Sequence, residues 1–229
     1  MMSMSPMNMS PTSMNPRLRI DVWSDYVCPF CYLQLPVLQR LQQVYGAALE
    51  VSWRAFELRP EPVPTPDPAE QNLRSSWQRS VYPMAQERGM TLRLPPLQPR
   101  SRKAMEAAVF AHEHGRFDAV HEAIFRAFFV DGRDIGEVEV LQEIGQAAGL
   151  PAHLLREALD EQRYRPQVLE DEQIAHNCGL SGVPMMLLRR ADAPWRHAVP
   201  LHGAVPYDSM VQAVESMRHA AMGAAGQPC

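Results

Sequence analysis

The sequence is poor in the features that mark several large classes of protein. Only four cysteines occur in 229 residues, too few for a secreted scaffold held together by disulfides. No run of about twenty apolar residues is present, so a transmembrane helix is not expected. Lys and Arg number 22 against 26 Asp and Glu, which gives a net charge of −4 and no overall basic field. We therefore expect neither a membrane partner nor a nucleic-acid partner.

Signals for export, metal binding and phosphate binding are also missing. Residues 1–16 have neither a basic region nor an apolar segment of about 7–15 residues, so they are interpreted as a flexible tail rather than a secretory signal. A second flexible tail is predicted at residues 223–229, and the expected location is cytoplasmic. The eight histidines contain no His-x-x-x-His pair, and the twelve glycines form no phosphate-binding loop. We expect no metal and no bound organic cofactor.

The composition is that of a globular protein, with 46% hydrophobic and 21% charged residues. In residues 17–23 apolar and charged side chains alternate, which predicts a β-strand with one buried face. The apolar residues from Leu35 to Tyr45 then follow helical spacing, and Gly46 suits the left-handed position that ends a helix. Residues 49–55 alternate again. The pattern predicts a βαβ unit with a right-handed crossover.

A proline-rich connector follows the second strand, and strand patterns then disappear for about a hundred residues. Strand character returns late in the chain. The predicted elements are helices at about 69–89, 101–115, 117–128, 137–149 and from 151 onward, a helix at about 166–178, strands at 185–188 and 197–201, and a helix at about 207–222.

The chemistry-bearing motif is the pair Cys28 and Cys31, which lies where the first strand meets the helix. Pro29 suits the first helical position, and Cys28 then becomes the N-cap, where backbone N–H groups and the helix dipole favour a thiolate. Cys31 lies one turn further into the helix, where we expect a less exposed and more ordinary thiol. This difference between the two cysteines predicts that Cys28 attacks a disulfide and that Cys31 resolves the mixed disulfide. Zinc would need two further ligands at suitable spacing. Asp25 either caps the turn before Cys28 or influences proton transfer.

A second candidate site is Val183-Pro184, which precedes an apolar strand. An X–Pro bond can adopt the cis form. The sequence pattern alone favours a trans proline that opens the strand.

Several motifs agree in order with a known family. SDYVCPFCY after the first strand, FELRP after the second, FRAFFVDGRDIG among the helices and SGVP before the later strand resemble the DsbA-like thioredoxin-fold family. Within that family the chain most resembles the FrnE-like subgroup of predicted dithiol-disulfide isomerases. The resemblance covers about residues 17–220. It implies an α/β thioredoxin-like domain of residues 17–65 and 166–222, interrupted by an all-helical insertion at residues 66–165.

The resemblance also implies a catalytic pair at Cys28 and Cys31, and a cis peptide bond before Pro184, so that Val183 and Pro184 form a substrate-binding loop. One departure concerns Phe30, where the subgroup often has Trp. A phenylalanine offers no side-chain hydrogen bond to a thiolate.

The expected function is protein thiol–disulfide oxidoreductase or isomerase, with protein or small-molecule thiols and disulfides as partners. Glutathione is the candidate small thiol. Two alternatives stay open: a glutathione-dependent isomerase or transferase resembling 2-hydroxychromene-2-carboxylate isomerase and the kappa class, and a peptide-binding chaperone. The isomerase group usually has Ser at the first motif position, which argues for the dithiol function. The sequence gives no indication of oligomeric state.

Overall fold

The computed structural model describes residues 17–225, with side chains described as far as residue 220. The tail predicted for residues 1–16 lies outside the described residues, as do residues 226–229. Residues 223–225 of the predicted C-terminal tail instead continue the last helix, which ends at Ala225. None of the described helices is long and apolar enough to cross a bilayer.

Four strands form one mixed sheet in the order β2-β1-β3-β4. They are β1 (Leu18–Ser24), β2 (Leu49–Ala55), β3 (Met185–Arg190) and β4 (Val199–His202). β1 pairs with β2 in parallel and with β3 antiparallel, and β3 pairs with β4 antiparallel. The helix between β1 and β2 is α1 (Pro29–Tyr45). A parallel pair requires such a crossover, so the predicted βαβ unit is present.

All helices predicted between β2 and β3 are present. The first is interrupted by a π-helical turn at Trp77–Val81. These helices are α2 (Gln71–Ser76), α3 (Tyr82–Glu87), α4 (Arg102–Glu113), α5 (Phe117–Phe129), α6 (Val138–Ala147), α7 (Ala152–Asp160) and α8 (Arg165–Asn177). The last helix is α9 (Tyr207–Ala225).

The expectation of one buried face for β1 is wrong, because this central strand is buried on both faces. Leu18, Ile20 and Val22 pack in one core with residues of α1 and α9. On the other face Asp21 is fully buried, although it is charged. Its carboxylate accepts hydrogen bonds from Arg19, Arg54 and Arg189, at 3.1, 3.0 and 3.2 Å. Paired charges can be buried where an isolated one cannot, which is why the polar pattern was misleading here.

A second and larger core joins the sheet to the inserted helices. It contains both cysteines of the motif together with side chains from the helical region, among them Trp77, Phe125 and Phe129. The start of α1 therefore lies at the boundary between the sheet and the helices, where both contribute to its surroundings.

Candidate active site

The two motif cysteines lie at the start of α1, directly after a tight turn. The Cys28 N–H donates to the backbone carbonyl of Asp25 at 3.1 Å, and the Val27 N–H donates to Asp25 Oδ1 at 3.1 Å. Cys28 is the N-cap of the helix and Pro29 is its first residue, as predicted. Both thiols are free, and only Cys28 reaches the surface, with 5% of its area exposed against 0% for Cys31.

The sulfur of Cys28 faces the Val183–Pro184 segment rather than the helix N–H groups. It makes no capping hydrogen bond to the first N–H groups of α1. The thiol instead donates to the backbone carbonyl of Val183, with an Sγ–O distance of 3.5 Å. The N–H groups of Cys31 and Tyr32 donate to the backbone carbonyl of Cys28 rather than to its sulfur.

Val183 and Pro184 reach Cys28 because of the sheet register. β3 runs antiparallel to β1, with Met185 opposite Trp23, so the residues before β3 lie beside the residues that follow β1. The Val183–Pro184 peptide bond is cis. Pro184 is buried and Val183 is half-buried. The structure thus brings together the two segments that the sequence singled out, which are 155 residues apart.

Burial raises the pKa of Cys31 well above its ordinary value, and the neighbouring Cys28 raises it further. Two groups act in the opposite direction by stabilising the Cys31 thiolate. They are the side-chain hydroxyl of Ser24 and the backbone N–H of Asp25. Because Cys31 is fully buried, its thiol holds its proton more tightly than a thiol in water does.

Asp25 is fully buried and caps the turn before Cys28. Its second oxygen, Oδ2, accepts the Leu58 N–H at 2.7 Å, and Leu58 belongs to the FELRP segment after β2. Burial raises the pKa of Asp25 to about 6, while the Leu58 N–H, the Ser101 hydroxyl and the Val27 N–H oppose the rise. The carboxyl group therefore combines a structural role with a protonation change near neutral pH.

A buried histidine near the motif was not found by sequence reasoning. His121 of α5 shares a hydrogen bond with the hydroxyl of Tyr26, with 2.6 Å between Nδ1 and the oxygen. Burial lowers the pKa of His121 to about 3, so the imidazole is neutral at physiological pH. His121 was only one member of an apolar helical stripe, and no local signal connects it with Tyr26, 95 residues earlier.

The remaining sequence candidates lie at the edges of this site. Pro29 and Phe30 are half-buried, and Phe30 packs against the larger core. Cys178 is the C-cap of α8, and it packs with Val183 against a third, smaller core. Within residues 17–225 no group of three or more His, Cys, Asp or Glu side chains is arranged to hold a metal ion.

A dithiol at a strand–helix junction, beside a cis-proline loop on a mixed sheet, defines a thioredoxin-fold redox protein. Residues 19–215 match the family model of the DSBA-like thioredoxin domain, and the chain belongs to that family. The protein YwbO of Bacillus subtilis, described as uncharacterized, is 30% identical over 177 residues, which are 75% of this chain and 86% of YwbO.

Solved structures agree with this assignment. A probable DsbA oxidoreductase from Streptomyces coelicolor is similar with a TM-score of 0.73 and 25% identity, over 88% of this chain and 90% of its own. The cytosolic disulfide reductase DsbM of Pseudomonas aeruginosa has a TM-score of 0.66 and 23% identity, over 87% of this chain and 98% of its own. A 2-hydroxychromene-2-carboxylate isomerase has a TM-score of 0.70 and 18% identity, over 92% of this chain and 100% of its own. The last two show the fold alone.

These results confirm the predicted fold class, a DsbA-like thioredoxin fold with inserted helices. They also define the chain as a thiol–disulfide oxidoreductase of the DsbA-like type. The assignment to the FrnE-like subgroup stays a prediction.

Proposed function

We propose that the protein exchanges disulfides with protein or small-molecule thiols through Cys28, and that Cys31 resolves the resulting mixed disulfide. The observation that carries this proposal is the unequal exposure of the pair. Cys28 reaches the surface and Cys31 does not. A client disulfide can therefore be attacked by one sulfur only, while the other is kept for the intramolecular step.

The reaction proceeds in two exchanges. The Cys28 thiolate attacks one sulfur of the client disulfide, a mixed disulfide forms, and the other client sulfur leaves as a thiolate. Cys31 then loses its proton and attacks the Cys28 sulfur. A Cys28–Cys31 disulfide forms, and the second client thiolate leaves. The client gains two electrons and the cysteine pair loses two, so no metal or organic cofactor is needed.

The raised pKa of Cys31 suits the resolving role. A thiol that stays protonated near neutral pH does not compete with Cys28 for the client. It also does not attack until its proton has been removed, so the two exchanges occur in order.

Val183 and Pro184 are proposed to hold the client. The Val183 backbone lies beside the Cys28 sulfur, where an extended peptide could pair with it as an added strand. Pro184 has no N–H, so it presents no donor next to the reacting sulfur.

Glutathione is the proposed small thiol partner, and the cytoplasm is the proposed location. A structure of DsbM, named as a cytosolic disulfide reductase, has been solved with glutathione and shares this fold with a TM-score of 0.66. In a compartment poised at about −220 to −320 mV a pair as oxidising as that of DsbA would be kept reduced, and such a protein would act there as a reductase or isomerase.

Trapping experiments test the proposal. Cys31→Ser should accumulate clients as mixed disulfides on Cys28, because the resolving thiol is gone, whereas Cys28→Ser should trap none. Cys178→Ser is the matched control and should behave as the parent protein. The dithiol mechanism is wrong if the trapped sulfur proves to be that of Cys178, or if both motif variants reduce insulin at the parent rate.

The same variants separate the two alternative functions. A glutathione-dependent isomerase of the kappa type activates glutathione at the first motif position, so Cys31→Ser should leave its turnover intact. A peptide-binding chaperone should suppress aggregation equally well when both motif cysteines are replaced by serine. The proposed oxidoreductase should lose its insulin-reducing activity in both cases.

A further inference from the structure

A cavity of about 210 Å³ lies along the edge strand β2, between this strand and the inserted helices. β2 contributes Trp53 to its walls, α4 contributes Ala108 and α5 contributes Phe117. The exposed residues His112 and Gln167 also line the cavity, so it is open to solvent. None of its lining residues belongs to the cysteine motif or to the cis-proline loop. The cavity is therefore separate from the site proposed for disulfide exchange.

The cavity is larger than an ordinary packing defect. Protein interiors rarely contain voids larger than a water molecule. An apolar cavity of about 150 Å³ is already large enough to bind benzene. The volume beside β2 therefore accommodates one aromatic ring with a small substituent. A second groove of about 540 Å³ shares Trp53, His112 and Phe117 with the cavity and gives a ligand access to it.

Two buried side-chain atoms of the cavity lining have no hydrogen-bond partner among the described residues. They are the hydroxyl oxygen of Ser24 and Nε2 of His121. Both residues are more than nine-tenths buried, with 7% and 4% of their surface exposed. Buried polar atoms are nearly always paired, so a molecule in the cavity has to supply the partner.

The hydrogen bond between Tyr26 and His121 decides what Nε2 offers to such a molecule. The Tyr26 hydroxyl lies 2.6 Å from Nδ1 and has no other hydrogen-bond partner in the part of the chain that the structure describes. If Nδ1 carried the hydrogen, the hydroxyl hydrogen of Tyr26 would have no acceptor. We assign the imidazole hydrogen to Nε2, because Tyr26 then donates to Nδ1. The cavity wall thus presents an N–H donor from His121 and a hydroxyl from Ser24.

The backbone of Trp53 adds a further donor and a further acceptor. The Phe56 N–H donates to the Ser24 carbonyl of β1 at 3.1 Å. The Ala55 N–H points to the other side and donates to Asp171 Oδ2 at 3.1 Å. Because the backbone groups of successive residues in a strand point to opposite sides, those of Trp53 also point away from β1, and no described residue accepts its N–H there. This N–H and C=O are the two groups with which an amide pairs.

The charges around the cavity favour a neutral ligand. Arg19 and Arg54 line it, but both donate to the buried carboxylate of Asp21. Arg54 also donates to Asp171 at 2.7 Å. Burial lowers the pKa of His121 to about 3, so the imidazole carries no charge at neutral pH. An anion in the cavity would lose its hydration without gaining a free cation.

We propose that this cavity binds a small neutral aromatic carboxamide. The ring occupies the apolar part of the cavity, beside Phe117 and Ala108. The amide carbonyl accepts from the N–H donors of the wall, and the amide NH2 group donates to its acceptors. A carboxamide carries both kinds of group without a charge, whereas a ketone lacks the donor and a carboxylate brings a charge. No bond is made or broken, and the site goes beyond the proposed exchange of disulfides.

An NMR titration of the isotope-labelled full chain tests the proposal. The probes are benzamide, acetophenone, in which a methyl group replaces the NH2, and benzoate, in which a charged oxygen replaces it. Benzamide should shift the backbone amide signals of Trp53 and His121 and should saturate at millimolar concentration. Acetophenone should bind about tenfold more weakly, because it lacks the donor. Benzoate should bind more weakly still.

Three variants separate binding from folding. Ala108→Leu fills the cavity, so it should raise the melting temperature of the free protein and abolish detectable benzamide binding. Ser24→Ala should leave the melting temperature unchanged, since the hydroxyl has no partner among the described residues, yet it should weaken benzamide binding severalfold. Ala147→Leu, on the exposed surface of α6, is the matched control and should leave benzamide binding unchanged.

Several results would overturn the proposal. If benzamide shifts neither Trp53 nor His121, the cavity holds water only. Equal affinities for benzamide and acetophenone, or tighter binding of benzoate, would exclude the carboxamide class. Undiminished binding in Ala108→Leu would place the ligand elsewhere, and undiminished binding in Ser24→Ala would do the same if the leucine variant proves unstable. Disulfide exchange is not tested by any of these measurements, because no cysteine takes part.

Discussion

The Cys28 sulfur lies 3.5 Å from the backbone carbonyl oxygen of Val183. This contact joins the start of α1 to the residues that lead into β3, and it is the only side-chain hydrogen bond of Cys28 found among the described residues. A carbonyl oxygen accepts from a thiol but repels a thiolate. The contact is therefore lost when the sulfur reacts as a thiolate.

Replacing Pro184 by alanine should reduce turnover of protein disulfides about tenfold with little loss of folding stability. Alanine introduces an N–H donor next to the reacting sulfur and lets the Val183 carbonyl move away from Cys28, and small displacements of this kind have large effects on rate. Insulin reduction and urea unfolding, measured in parallel, check the two parts. Pro206→Ala, just before α9, is the control. Equal losses in both measurements would show that Pro184 acts only on stability.

Asp25→Asn should remove a pH dependence of stability between about pH 4 and 6. The pKa of Asp25 is raised to about 6, so the folded protein holds this proton more tightly than the unfolded chain. Stability from this group is therefore lost as pH rises from about 4 to 6, by roughly 3 kcal/mol. Relative to Asp25→Asn, the parent protein should lose about that amount between pH 4 and 7 in urea unfolding. The exposed Asp118, changed to Asn, is the control and should show no such difference.

His121→Gln should remove a second pH dependence of stability, which acts at acidic pH and has the opposite sign to that of Asp25. The pKa of His121 is lowered to about 3, so the unfolded chain binds the proton more tightly. Stability from this group is lost as pH falls from about 6.5 toward 3, by roughly 3 kcal/mol at pH 4.5. The variant cannot be protonated there and should retain more of its neutral-pH stability than the parent does. His153→Gln, on the surface of α7, should have no effect on the slope.

Asp21→Ala should destabilise the protein by about 3–5 kcal/mol, because three arginines lose a shared, fully buried partner. Asp192→Ala removes the exposed partner of Arg190 and should cost much less, because water and salt screen an exposed pair. Thermal or urea unfolding of the two variants compares a buried with an exposed ion pair in one fold. Similar losses for both would show that the Asp21 cluster contributes no more than a surface pair.

The Cys28–Cys31 reduction potential is expected between the values of thioredoxin, about −270 mV, and DsbA, about −120 mV. Phe30 offers the Cys28 thiolate no hydrogen bond. Phe30→His should stabilise the reduced form and raise the potential by about 30 mV or more, the equivalent of about 1.4 kcal/mol. Redox titration against glutathione measures the shift, and Phe30→Leu is the apolar control. A potential that does not respond to the histidine would show that its side chain does not reach the sulfur.

Local patterns were sufficient to predict the elements that carry the motif. Alternation predicted β1, helical spacing predicted α1, and Pro29 marked its first turn, because each of these signals depends on neighbours in sequence. The contact between Cys28 and Val183 followed only from the family resemblance. Their chain separation of 155 residues puts the contact beyond any local pattern.

Prediction from the sequence was wrong or incomplete where a residue's burial and contacts depend on a partner far away in the chain. Asp21 belongs to a polar alternation that predicts exposure, yet Arg189, 168 residues away, helps to bury it. His121 is indistinguishable from a helix-face residue until Tyr26 is placed beside it. The hydroxyl of Ser24 has no hydrogen-bond partner among the described residues and lines a cavity that several separate segments of the chain enclose, so no local pattern could predict its surroundings.

The continuous core shared by the cysteines and the inserted helices limits how far the chain could be shortened by engineering. The helices α2–α7 are an insertion in chain order, but they supply much of the apolar contact around Cys28 and Cys31. Excising them would expose the motif and would open the cavity that they form with β2. A minimal four-stranded redox module would therefore not result. A graft of this site onto another thioredoxin-like scaffold would have to carry the helices with it.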